Sequence, residues 1–422
     1  GTYSLRTYVN NYYVQADIND TNAGILHAIG TSVGTWEKLT FEAKNSAALP
    51  KVNGGQQETT QPSTEAPTQA PTQKPTEIPT EEEVSVDIPT TSGKYGKNFK
   101  AVAYYPNWYG DFTSKVQWDK LTHVNYSFAL PNDNGTIDSV SGSAGVINSL
   151  ISVAHANDVK VNVAVGGWSY SDGRECARVF ENATNTDAKR QSLANAILAI
   201  VDQYGFDGVD IDWEYPGTSL AGIASDKSDK ENYTLLLAEL RKTLDAYKEG
   251  MFVTTAVGGD VYFALQTDMK AASEYLDYVQ LMTYDLQGGF QMVTGHHAAL
   301  YHSEGNLFDA CVEKAVNGFV NAGVPMEKLI LGVPFYSRKW DGVKGAGCRN
   351  GLGMEASTVG GYGGDYGELK ESWIGKNGFV RYWDEQAKVP YLFNGETFIS
   401  YEDTESLGIK INYLKERGMG GI

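Results

Sequence analysis

Cysteine, histidine and cationic side chains are all scarce in this 422-residue chain, and each shortage removes a class of function. The three cysteines, Cys176, Cys311 and Cys348, are an odd number without metal-ligand spacing, so neither a disulfide framework nor a zinc site is indicated, and a single pair is the most they can form. His296-His297, in a Gly-rich loop, has no third ligand at a recognisable spacing; no metal and no cofactor is expected. Lys and Arg number 34 against 52 Asp and Glu, a formal net charge of -18, which argues against nucleic acid and for a soluble protein acting on an uncharged partner. No apolar run approaches the length of a transmembrane helix, so no membrane partner is expected. The chain starts at Gly1 rather than Met, and a removed secretory leader is the expectation there.

What is present divides in three, at about residues 1–53, 54–93 and 94–422. The first stretch alternates apolar and polar positions, as in SLRTYVNNYYVQA and GTWEKLTFEA, and reads as a small all-β segment. It resembles one lobe of a fascin-like β-trefoil, a fold used to bind sugars; about 45 residues cannot build a full trefoil core, and a strand-rich spacer without a ligand is the alternative. The second is a Pro/Thr-rich linker, with Pro67, Pro71, Pro75 and Pro79 at a four-residue step, each followed by Thr. Too little apolar surface is available there to offset the entropy of ordering. Such spacers commonly join modules of extracellular enzymes, so a secreted location is expected.

Beyond Lys97, apolar runs alternate with amphipathic segments. Strands are expected near Ala101–Tyr105, His123–Ala129, Val159–Val165, Gly208–Trp213, Phe252–Val257, Tyr278–Met282 and Leu329–Val333, with helices at Asp187–Tyr204, Lys230–Lys248, Leu307–Ala322 and Thr404–Arg417. That alternation predicts an α/β fold, a (β/α)8 TIM barrel, with an open doubly wound sheet as the alternative. The interval from about Val343 to Asp403, rich in Gly, Tyr and Trp, is too long for a loop and predicts an α+β insertion after the seventh barrel strand. An eighth strand begins at Gly420 and is cut short at Ile422, so the first and seventh barrel strands are expected to be left with unpaired edges.

The fourth barrel strand carries the chemistry. In FDGVDIDWEYPG, Phe206 to Gly217, side chains alternate faces, so Asp210, Asp212 and Glu214 point one way and Val209, Ile211 and Trp213 the other. A solvated edge strand would carry such charges harmlessly, but this strand lies between helices, where both faces are normally covered. Barrel sites sit at the C-terminal ends of the strands, which puts Glu214 at the rim with Asp212 and Asp210 successively deeper. Crowding of like charges should raise at least one carboxyl pKa and keep Glu214 protonated. Neighbouring carboxylates on one strand face project the same way, so they are poorly placed to flank a single bond from opposite sides. Asp207, out of step with the row, is expected to be structural.

The same residues, Asp207, Asp210, Asp212 and Glu214, fill the DxxDxDxE pattern of glycoside hydrolase family 18. YYPNW at Tyr104, NYSFA at Asn125, AVGGW at Ala164, QLMTYDL at Gln280 and GVPFYSR at Gly332 are similar to other elements of that family, so that the resemblance spans roughly residues 97–422. It implies a chitinase that cuts β-1,4 bonds between N-acetylglucosamine units, with the sugar's own 2-acetamido oxygen as nucleophile. Glu214 is then the general acid and base, Asp212 orients the acetamido group, and Asp210 shares a proton or hydrogen bond with Asp212. Tyr284 and Asp285 match residues that hold the acetamido carbonyl and the reacting sugar; Tyr336 and Arg338 match cleft-lining residues, and Gln280 and Met282 are assigned to substrate with them. Aromatic faces suit pyranose rings, so Tyr104, Trp108, Phe128, Trp168 and Trp383 are candidates for the sugar path, with core packing as the alternative for each. Ala164 stands where the family often has Ser. The family's Trp at the end of the eighth strand is expected beyond Ile422. A monomer acting on chitin or its oligosaccharides is the expectation; an endo-β-N-acetylglucosaminidase and a non-catalytic chitin-binding lectin are the alternatives, and lectins of this type typically lack the acid that Glu214 supplies.

Overall fold

The computed structural model describes residues 2–6, 13–17, 76, 99–168, 178–219, 223–345 and 349–422. The chain forms two compact units, residues 1–67 and 68–422. In the first, β1 (Thr2–Arg6) pairs antiparallel with β2 (Tyr13–Asp17), Leu5 opposite Val14. The remainder of the expected trefoil lobe, and the Pro/Thr linker apart from Thr76, lie outside the described residues. In the second unit, Thr76 donates its N–H to the Arg381 carbonyl (3.1 Å), and its hydroxyl accepts from the Arg381 guanidinium (2.7 Å).

The second unit is built on a curled parallel sheet. β3 (Val102–Pro106) and β4 (His123–Pro131) come first, and β5 (Ile137–Val140) turns back antiparallel on β4. Then follow β6 (Lys160–Gly166), β7 (Gly208–Asp212), β8 (Phe252–Gly258), β9 (Tyr278–Met282) and β10 (Leu329–Leu331), in the order β10-β9-β8-β7-β6-β4-β3. Helices α1 (Ala144–Ala156), α2 (Val179–Thr184), α3 (Asp187–Tyr204), α4 (Asp229–Tyr247), α5 (Val261–Gln266), α6 (Met269–Ser273) and α7 (Val312–Asn321) alternate with the strands. The expected α7 start at Leu307 falls in a loop instead, because the chain enters the helix only after Cys311.

Local chemistry sets these boundaries. The Thr186 side chain accepts the Lys189 N–H (3.3 Å) to start α3, and Gly205, left-handed at φ 81°, ends it just before β7. Val161, Val163, Val165, Val209, Ile211, Val253, Val257, Val279 and Leu281 alternate onto the helix side of the sheet and pack in one core with Leu193 and Ile197 of α3 and Leu236, Leu240 and Leu244 of α4. Each such buried side chain contributes about 1.5–3 kcal/mol. The opposite face of the same strands is left for polar side chains inside the barrel.

The barrel edges are not open, contrary to the expectation from sequence. Gly420 donates to the Leu329 carbonyl (2.9 Å) and Leu331 to the Gly421 carbonyl (3.0 Å), while Lys100 donates to Gly420 and Val102 to Ile422, each at 2.9 Å. Three residues bridge both neighbours because Gly421 has no Cβ, which would overlap the Lys100 carbonyl.

After β10 the chain leaves the barrel for an antiparallel sheet of β11 (Tyr336–Trp340), β12 (Gly361–Asp365), β13 (Val380–Asp384), β14 (Val389–Phe393) and β15 (Phe398–Ser400), in the order β12-β11-β15-β14-β13, with helix α8 (Tyr366–Ser372). The insertion therefore begins at Tyr336, not near Val343. GVPFYSR reads as one run, but β10 stops at Leu331 and Gly332–Phe335 carries the chain out. Helix α9 (Thr404–Arg417) returns it to the barrel, opened by an Asp403–Ser406 capping box.

Candidate active site

β7 is anchored at its entrance by Asp207, whose carboxylate accepts from the Val161 N–H (2.9 Å) and Lys160 (3.0 Å) and meets His155 at 2.7 Å. The next residues alternate as the pattern requires. Val209, Ile211 and Trp213 enter the core, while Asp210, Asp212 and Glu214 are the buried carboxylates of the barrel interior. Glu214 lies just past the strand end and is 7 % exposed, so its carboxyl is sheltered by the rim rather than displayed on it. Gly166 and Gly167 allow this crowding: a Cβ on Gly166 would overlap the Asp212 carbonyl, and one on Gly167 would strike the Phe128 ring at 2.9 Å.

Asp210 is fully enclosed. Its Oδ1 accepts from Thr254 Oγ1 (2.6 Å) and Gln280 Nε2 (2.7 Å), and its Oδ2 from the Tyr104 hydroxyl (2.7 Å). These three donors, rather than the expected bond to Asp212, occupy its oxygens. Asp212 Oδ1 is buried without a hydrogen-bond partner. Burial pushes the Asp210 carboxyl up to about 6 against the pull of its three donors. Asp212 is held well above the carboxylate range by burial and then by the Glu214 and Asp210 charges. Burial pushes Glu214 up to about 7, opposed by its hydrogen bond with the Tyr215 hydroxyl and assisted by the Asp285 charge. Desolvation is thus the largest cause at all three; like-charge crowding, the cause expected from sequence, comes after it at Asp212 and Glu214 and is not among the causes at Asp210.

A second group closes the site from the end of β9. Tyr284 stands against Tyr336 with ring centroids 6.0 Å apart, and burial keeps its hydroxyl protonated far into the alkaline range. Asp285, at φ 56°, accepts from the Tyr336 hydroxyl (2.7 Å) through Oδ2 and from Arg338 Nε (2.6 Å) through Oδ1, with His297 Nδ1 3.5 Å away. Burial raises the Asp285 carboxyl, but hydrogen bonds from His297 and Arg338 and the Arg338 charge outweigh it and hold it well below the usual range. His297 is therefore a carboxylate partner, and His296 is another: its Nε2 meets Asp384 Oδ2 at 2.9 Å. Neither joins a metal cluster, and among the described residues no group of His, Cys, Asp and Glu is arranged to hold one.

The aromatic candidates separate. Tyr104, Trp108 and Trp168 expose ring surface, and Trp168 faces Phe290, 73 % exposed, at 6.4 Å. Phe128 is half-buried against Gly167, and Met282 is half-buried at the end of β9. Trp383 is not brought to the site. It lies on β13, the sheet edge opposite β12, where it stacks with Arg381 and donates to Glu385 (2.9 Å). Gln280, assigned to substrate from sequence, is buried on Asp210 instead. Phe290, Tyr215 and Thr254 were not singled out from sequence, and His297 was weighed there only as a metal ligand. A signal for Thr254 exists in FVTTAV, where polar residues interrupt an apolar strand.

The site is thus a row of three buried carboxyls at the C-terminal end of a parallel-barrel strand, in a barrel that also exposes the rings of Trp108, Trp168 and Phe290. The family model for Glycosyl hydrolases family 18 matches residues 100–422, and the chain belongs to that family. It is 34% identical over 397 residues to Chitinase A1 of Niallia circulans, covering 77% of this chain and 55% of that relative. Among solved structures it is similar to a family 18 N-acetylglucosaminidase from Paenibacillus barengoltzii, at 41% identity and a TM-score of 0.70, covering 76% of this chain and 93% of that one. Chitinase ChiA74 from Bacillus thuringiensis is 32% identical with a TM-score of 0.68, covering 76% of this chain and 64% of that one.

Proposed function

We propose that the protein is a chitinase that hydrolyses β-1,4 linkages between N-acetylglucosamine units by a substrate-assisted, retaining route. One observation carries the reading. The acid Glu214, just past the end of β7, continues the row of Asp212 at that end, whereas Asp285, past the end of β9, has both oxygens occupied by Tyr336 and Arg338. Among the described residues that arrangement supplies an acid but no free carboxylate opposite it, which favours attack by an atom of the sugar. Glu214 protonates the leaving oxygen as the 2-acetamido oxygen bonds to the anomeric carbon and the glycosidic bond breaks. Asp212 accepts from the acetamido N–H and offsets the positive oxazolinium charge, and the Tyr284 hydroxyl, protonated throughout, can donate to the acetamido oxygen. Glu214, now anionic, takes a proton from water as the water opens the ring.

The names of Chitinase A1 and ChiA74 support the substrate class. The same reading extends to a secreted, monomeric, modular enzyme, with residues 1–53 as a small β module, 54–93 as a linker and 94–422 as the catalytic part, on the strength of the Pro/Thr composition. The test is stereochemical. Hydrolysis of chitin oligosaccharides followed by NMR should give the β anomer first, and fully deacetylated chitosan should resist cleavage; an α-anomer first product would refute the route.

A further inference from the structure

The interior face of the barrel holds a chain of amides that the reaction as described leaves unused. Asn162 Nδ2 donates to Asn125 Oδ1 (3.2 Å), Asn125 Nδ2 donates to Gln280 Oε1 (2.9 Å), and Gln280 Nε2 donates to Asp210 Oδ1 (2.7 Å). All three amides are buried, and they come from β6, β4 and β9, so the chain crosses the barrel floor beneath the carboxylate row.

The chain has a direction. Of the three donors on Asp210, the Thr254 and Tyr104 hydroxyls can turn and accept a proton, but an amide nitrogen can only donate. Reversing Gln280 would aim its carbonyl at a carboxylate and force Asn125 to reverse as well, so the charge on Asp210 polarises the whole row. Asp210 Oδ1 is thereby fixed as an acceptor. Resting on the proposed chitinase reaction, we propose that Gln280, oriented by Asn125, is a positioning residue that keeps Asp210 ionised and so confines the mobile proton of the cluster to Asp212 and Glu214. An ionised Asp210 stands behind Asp212 as a fixed negative charge. A protonated Asp210 would remove that charge and let the proton leave the acid end of the row.

The other titratable groups facing Asp210 do not compete. Tyr104 from β3, Tyr278 from β9, Tyr284 beyond it and Tyr233 from α4 are all kept neutral by burial. β6 presents Ala164 in register with Asp210, and β8 presents Thr254. Only Asp212 and Glu214 share the charge of the row, and Asp210 itself is lifted by burial against its donors.

The experiment compares Gln280→Met, which keeps the length of the side chain and lacks the donor, with the unaltered enzyme. Loss of one charge-assisted hydrogen bond should raise the Asp210 pKa, moving the acid limb of kcat/KM upward by about one pH unit, with KM for chitin oligosaccharides little changed. Gln280→Glu, the same shape with a group that can accept or carry charge, should move it further in the same direction. A purely structural role would lower activity at every pH and leave the limb in place, and that result overturns the proposal. A 13C NMR titration of labelled aspartate carboxyls, assigned with Asp210→Asn, reads the same shift without substrate. If the unaltered protein proves inactive on chitin, the proposed activity fails while the titration still decides the relay; an Asp210 titration that is identical in the unaltered protein and in both Gln280 variants overturns the relay alone.

Discussion

Replacing Glu214 by Gln keeps the outline of the side chain and removes both the acidic proton and the charge. Glu214 titrates near 7 against an ordinary 4.5, chiefly because burial disfavours its anion. At pH 6 a carboxyl titrating near 7 is about 90 % protonated, whereas one titrating at 4.5 would be about 3 % protonated, so burial enlarges the acid form roughly 30-fold. Glu214→Gln should therefore lose about two to four orders of magnitude in turnover of chitin oligosaccharides.

The same burial has an opposite effect on stability. The folded-state pKa lies above the unfolded one, so the group's contribution is complete below 4.5 and is lost as pH rises through about 7. At pH 8 the folded chain encloses a charge that the unfolded chain would hydrate, a difference of about 3 kcal/mol. Gln has no charge to enclose, so Glu214→Gln should melt close to wild type at pH 4.5 and about 4 °C above it at pH 8. Thermal melts from pH 4 to 9, run beside the hydrolysis assay, test both halves. A melting difference that does not change with pH, or turnover within tenfold of wild type, would refute the reasoning.

Two further outcomes are expected. Tyr336→Phe removes the donor on Asp285 Oδ2; the Asp285 pKa should rise and kcat fall by roughly tenfold, measured as a pH–rate profile, and an unchanged profile would count against the shared role of β11 and Asp285. Lys410 is buried against Glu402, which also accepts from Ser406 Oγ (2.7 Å). Lys410→Met should destabilise by about 3–5 kcal/mol in urea unfolding, and Lys410→Met with Glu402→Leu should recover most of the loss.

The strand alternation around Asp210 was legible because period two in an apolar run leaves little choice of face, and the boundaries of α3 and α9 were legible because Gly205 and Gly418 mark their ends with a left-handed residue. Long-range partnership was not. Nothing in QLMTYDL says that Gln280 reaches down to Asp210 rather than outward to a sugar; that follows from which side of β9 faces the barrel axis. The two adjacent histidines resisted interpretation for a similar reason: neighbours in sequence, they serve different carboxylates, His297 at Asp285 beyond β9 and His296 at Asp384 on β13, the latter far along the chain. Isolated polar residues inside apolar strands, Asn125, Asn162, Thr254 and Gln280, were the readable trace of the barrel's interior network.

The hold of β11 on Asp285 has a consequence for how this scaffold can be re-engineered. Tyr336 and Arg338 are the first residues of the inserted sheet, yet their polar atoms end on a carboxylate at the mouth of the barrel. The insertion is consequently not a cassette that can be excised or exchanged whole. A graft that replaces β11 would release Asp285 along with it, whereas the β11–β12 connection and the far edge at β13 can be rewritten while the clasp on the reacting pocket stays shut.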